Sequence, residues 1–276
     1  MMMMISTLIG IGCLEYEFKA HSEYEADVDV VDEEELGWGE AIVDTAAADT
    51  GFEAAIDETE GQATEVMYLH TSSHLFSWND SGDITEIGPF TLNGVATPGI
   101  TDLAIDLNGV MYGIARDELF VINAEDASLT FVCELSVELM GLTFLSDGSL
   151  MGAGDGIYMI NPISGSTATF VADGQYTTSG DIVGHPNGLM YWTVIGDHGE
   201  DELVSVDPST GETTWIGSIG AERLWGVGYF DDNLYGFSSN GSIATINPSN
   251  AISLTTKETP GHYWWGAATN PVRWED

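Results

Sequence analysis

Basic residues are nearly missing from this 276-residue chain. Five Lys and Arg stand against 45 Asp and Glu, for a formal net charge of −40. Such a surface repels phosphate and anionic lipid, which argues against nucleic-acid binding and against electrostatic attachment to membranes. Cysteine is scarce as well. Cys13 and Cys133 lie far apart in unlike contexts, with no CxxC and no Cys/His ligand spacing, so neither a disulfide framework nor a zinc site is supported. No nucleophile elbow, phosphate loop or helical zinc motif occurs, and helix signals are poor after residue 64. What the chain has instead is 33 glycines, 10% aromatic residues and enough apolar side chains for a sizeable core. That balance suits many short strands joined by tight turns.

The first 64 residues stand apart. The apolar run that ends Leu8-Ile9-Gly10-Ile11-Gly12-Cys13 is too short to span a bilayer, which takes roughly 20 apolar residues. It resembles the end of a bacterial lipoprotein signal, with Gly12-Cys13 as the small-residue-then-Cys junction. That resemblance implies export and lipidation at Cys13, leaving a lipid anchor as the route to a membrane. Gly10 stands where Leu is usual and no basic residue precedes the run, so a signal peptide without lipid is the alternative. Residues 14–64 hold 17 acidic residues and one basic residue, Lys19, with few large apolar side chains. A segment of this kind cannot bury enough surface to offset its ordering entropy, and a self-repelling tether is expected.

From residue 65 to 276 one unit recurs. An apolar strand leads to a polar turn, then a strand with a Leu-Tyr or Met-Tyr pair, a strand ending in Asn or Asp, and a Thr-rich strand. The terminal Asn or Asp falls at Asn123, Asn161, Asp207 and Asn247, giving steps of 38, 46 and 40 residues. The long step contains the acidic hairpin with His198. Units of about 40 residues with four strands each mark the blades of a β-propeller. Residues 65–90 supply only three strands: Val66–His70, His74–Asn79 and Ile84–Gly88. The missing opening strand is present at Tyr263–Pro271, where Trp265-Gly266 matches Trp225-Gly226. The sequence therefore predicts an all-β fold, a single five-bladed propeller whose C-terminal strand pairs with the first blade. Radial closure of this kind removes exposed sheet edges.

The Leu-Tyr-Gly unit at Leu234-Tyr235-Gly236 and the Asp-Pro-x-Thr-Gly unit at Asp207–Gly211 carry a resemblance. Residues 65–274 are similar to exported bacterial propeller repeat proteins. The architecture is shared with gluconolactonase and lectin propellers, without a motif that assigns the chain to either.

Sites in propellers usually lie at the central channel or on the loops of one face. The second aligned position of the opening strands reads Asp102, Gly141, Asp181, Gly226 and Gly266. Four positions on, the set reads Asp106, Leu145, His185, Phe230 and Asn270. Asp102, Asp106, Asp181, His185 and Asn270 could converge on a channel mouth, and oxygen ligands of that kind suit Ca²⁺. Asp and Asn equally serve as turn caps and partners of backbone N–H groups. If Asp102 and Asp181 face each other across the axis, their repulsion is one that a cation would relieve. Trp225 and Trp265 offer either an aromatic binding surface or packing between blades. His70 and His74 find no third ligand. The expectation is a monomeric binding module for a protein or carbohydrate, exported or held at the cell surface, with no catalytic residues. The alternative is a Ca²⁺-dependent hydrolase of the lactonase kind working in the channel.

Overall fold

The computed structural model describes residues 66–270 apart from 80, 98, 173, 197, 198 and 222. Cys13, the expected signal and tether, His198 and residues 271–276 lie outside the described residues. Within them every regular element is a strand. The first blade contributes β1 (Val66–His70), β2 (His74–Asn79) and β3 (Ile84–Pro89). A small hairpin follows, β4 (Thr91–Leu92) and β5 (Val95–Ala96). The second blade holds β6 (Asp102–Ile105), β7 (Met111–Ile122) and β8 (Ser128–Leu139). The third holds β9 (Gly141–Phe144), β10 (Leu150–Ala153), β11 (Ile157–Ile160) and β12 (Thr167–Val171). The fourth is β13 (Thr178–Gly184), β14 (Met190–Ile195), β15 (Asp201–Val206) and β16 (Thr213–Ser218). The fifth is β17 (Leu224–Phe230), β18 (Asn233–Ser238), β19 (Ser242–Ile246) and β20 (Ser253–Glu258). The last strand is β21 (Gly266–Ala268).

Five antiparallel blades thus form the propeller that the repeat predicts. Strand β21 returns to the first blade as its innermost strand, pairing Tyr68 with Ala268, Leu69 with Ala267 and His70 with Gly266. Closure uses only these three residues of the longer strand expected over 263–271. The second blade departs from the plain pattern in two ways. The sequence places separate strands at Val110–Gly113 and Leu119–Asn123, whereas β7 runs through both. Its first half pairs with β6 and its second with β8, with Arg116 in the left-handed region (φ 61°) between them. The β4–β5 hairpin, not anticipated, adds to the blade by pairing β4 parallel to β8.

Burial falls from the axis outward. All residues of β6, β9 and β21 are buried, while no residue of β3 or β20 is, which is why the innermost strands read as small and apolar and the outermost as Thr-rich. The core lies between blades. Trp192, Met190, Val204 and Val206 of the fourth blade pack against Met151 and Ile157 of the third. Met67, Leu69 and Phe76 of the first pack against Phe237 and Ile243 of the fifth, with Trp264 among them. Each large apolar side chain buried this way stabilises the fold by about 1.5–3 kcal/mol. Cys133 sits half-buried in β8 at the edge of another such cluster.

The recurring Asn and Asp residues fix the outer hairpins. The side-chain oxygens of Asn123, Asn161, Asp207 and Asn247 each accept the backbone N–H two residues on. Their carbonyls accept the N–H four residues on, from Ala127, Gly165, Gly211 and Ala251, all with positive φ. Asn79 plays the same part in the first blade, accepting Asp83 N–H through its side chain and Gly82 N–H through its carbonyl.

Candidate functional site

The five innermost strands start on one face of the ring and run alongside one another toward the other. Their inner edges have no strand to pair with, so the N–H groups that point at the axis need acceptors from elsewhere. Asp102 and Asp181 supply them. Asp102 accepts from Leu103 and from Leu142, the latter to Oδ2 at 2.5 Å. Asp181 accepts from Ile182 (2.6 Å, Oδ1), Val227 (2.7 Å, Oδ2) and Ala267. These five donors occupy one aligned position, and each comes from a different blade. Two carboxyl groups therefore tie all five innermost strands together.

Space for them comes from the three glycines at the same level. A Cβ on Gly141 would lie 2.9 Å from the Cα of Asp181, and one on Gly226 would lie 2.9 Å from the Cα of Gly266. A Cβ on Gly266 would collide with Asp102 Oδ1 and His70 Nε2. Side chains at these positions would force the strands apart.

Both carboxyls are fully buried, and each alters the proton affinity of the other. Burial, then the charge of Asp181 and its hydrogen bond, holds the Asp102 carboxyl well above its ordinary range. Burial also raises Asp181, to about 7, against the pull of the Asp102 hydrogen bond and the Val227, Ile182 and Ala267 N–H groups.

His70, for which the sequence reading found no partner, completes the cluster. It is fully buried at the end of β1, and burial lowers its imidazole to about 4 against the opposing bond to Thr71. Its Nδ1 donates to the Thr71 carbonyl at 2.9 Å, so the neutral ring presents a bare Nε2. That atom lies 3.6 Å from Asp102 Oδ1, and neither meets a fixed donor of the chain. The signal that finds His70 is its place opposite Gly266 in the closed blade, which spacing along the chain does not reveal.

The five residues expected at one channel mouth occupy two levels. Asp106, His185 and Asn270 sit four residues beyond the carboxyl level, about 13 Å along a strand. Asp106 Oδ1 accepts the N–H groups of Asn108 and Val110, and His185 Nδ1 accepts that of Asn187, so both hold the tight turns after β6 and β13. The His185 ring packs edge-on against Tyr191 and Tyr229, and burial lowers its imidazole, with the Asn187 bond opposing. Asn270 Nδ2 lies beside Gly109 of the first of these turns. Among the described residues no group of three His, Cys, Asp or Glu could hold a metal ion. Across the axis the two carboxyls meet backbone N–H donors from all five blades.

The tryptophans separate by role. Trp264 is fully buried, edge-on to Phe76, and donates through Nε1 to Thr259 Oγ1 at 2.9 Å. Trp225 and Trp265 are half-buried just before Gly226 and Gly266, with ring centroids 5.6 Å apart and planes at 87°. Met140, exposed, holds the aligned place before Gly141, and Tyr263 is exposed two residues before Trp265. These side chains crown the face of the ring where the innermost strands begin.

No family model matches the chain, and no curated protein is similar to it in sequence. Solved structures do match. One is a chain of a nidogen/laminin complex crystal structure, with 12% identity and a TM-score of 0.51, covering 74% of this chain and 97% of that one. At that identity the likeness is one of architecture: the protein is a β-propeller, with five blades.

Proposed function

We propose that the protein is an exported binding module, tethered at the cell surface, that engages a protein or glycan through the face crowned by Trp225 and Trp265. One observation carries this reading. The axis is plugged by fully buried carboxyls that accept N–H groups from all five blades, while the aromatic pair above the plug is accessible. Aromatic side chains with a polar edge are favoured where proteins meet partners and sugars.

Two further features support the face. Arg116 and Arg223 both lie at this end of the ring, in a region of the chain (65–276) with 28 acidic residues and four basic ones. Both have left-handed backbones, φ 61° and 59°, and such strain costs about 1–2 kcal/mol at a residue with a Cβ. The nidogen/laminin structure is itself a complex between proteins, which is consistent with a propeller used for contact.

The test is a Trp225→Ala/Trp265→Ala double variant, screened beside the wild type on a glycan array and against extracellular proteins. A ligand held by the wild type should weaken at least tenfold while the melting temperature changes little. Equal binding by both would move the site elsewhere. The anchoring part rests on the Gly12-Cys13 junction. A Cys13→Ser variant with a working signal should leave the membrane fraction, and unchanged partitioning would remove the lipid anchor from the reading.

A further inference from the structure

The axial cluster has a property that binding at the outer face does not require. The carboxyls of Asp102 and Asp181 serve N–H donors from all five blades, yet both are fully buried and Asp102 Oδ1 meets no donor. From the innermost strands and β1 the one other titratable group facing them is His70, whose Nε2 is bare. No Lys or Arg among the described residues reaches the pair to neutralise it.

We propose that Asp102 and Asp181 form a buried proton-binding site that latches the ring, and that loss of bound protons loosens the closing strand β21. The weakest member gives first. Strand β21 is held to β1 by three residue pairs, its Ala267 N–H is bound by Asp181, and Gly266 lies directly against Asp102 Oδ1. With both carboxyls ionised, two negative charges would share one desolvated site against the strand least able to hold them.

The direction follows from the two shifts. Both carboxyls bind protons more tightly folded than unfolded, so their contribution is full below the ordinary Asp value near 3.8. It is lost as pH rises through about 7 and beyond. His70 opposes this on the acid side: its lowered value costs stability as pH falls from 6.5 toward about 4. Stability should therefore fall as pH rises from 5.5, most steeply just below about 7, where His70 no longer opposes, and level off once both protons are gone.

The test is urea unfolding of the 65–276 region within the full chain, from pH 5.5 to 9, on wild type and Asp102→Asn. The Asn keeps an oxygen for the Leu142 N–H and places an amide where Oδ1 faces His70, a donor that no pH removes. In the wild type the folding constant should fall by up to tenfold per pH unit for each proton that the folded state still holds and the unfolded chain has lost. In Asp102→Asn the slope should fall by at least half, since a fixed donor replaces one of the two titrating carboxyls. Two measurements need no variant. Infrared spectra of the wild type at pH 6 should show a protonated carboxyl that disappears toward pH 9. With base catalysis divided out, exchange protection of the Ala267 amide should fall before that of Leu142. A wild type of constant stability from pH 6 to 9, a variant that keeps the slope, or absence of the carboxyl band would each overturn the proposal.

Discussion

Asp181 on the axis and Asp207 at the rim both accept backbone N–H groups, yet their proton affinities move in opposite directions. Asp207 lies in water, where bonds from the Ser209 hydroxyl and N–H lower its carboxyl below the ordinary value. Asp181 takes three N–H bonds, and burial still raises it to about 7. The difference teaches that hydrogen bonds to a carboxylate do not decide its charge when solvent is gone. At the rim an Asp or Asn is a turn device that water can replace. On the axis the same chemistry is a joint between blades, and nothing else is present to satisfy its donors.

The sharpest way to break that comparison is to remove the axial acceptor altogether. Asp181→Ala leaves the N–H groups of Ile182, Val227 and Ala267 buried without acceptors, at about 1–3 kcal/mol each. The expected loss in urea unfolding is at least about 3 kcal/mol, and a loss below about 1 kcal/mol would mean that axis and rim are equivalent. A smaller effect sharpens the other side. Asn161→Ala strips the caps from Ile163 and Ser164 N–H, which are exposed and can turn to water. About 1 kcal/mol is expected there, with unfolding still a single transition.

The fold was legible because its repeat is written in residue types with a mechanical reason. Asn and Asp before a left-handed position recur at each outer hairpin, and small or apolar residues recur at each inner strand. The split blade was legible for the same reason, since Trp265-Gly266 repeats Trp225-Gly226. The β4–β5 hairpin was not, because two-residue strands carry no period to read. The positions of Asp102 and Asp181 could be found by aligning them with glycines, but not their contact, which joins the second and fourth blades around the third. His70 was hidden for a related reason: its partner Gly266 lies at the far end of the chain.

The pairing of β21 with β1 also sets an order of events. Every other inner strand meets its neighbour within a short hairpin, whereas these two are separated by about 200 residues of chain, and the entropy of bringing such distant segments together must be met before their contacts repay it. Four blades can assemble from local hairpins while the fifth waits for its inner strand. The axial side chains therefore find their last donor, Ala267, only at the end, so the hub of the wheel is the final part to set.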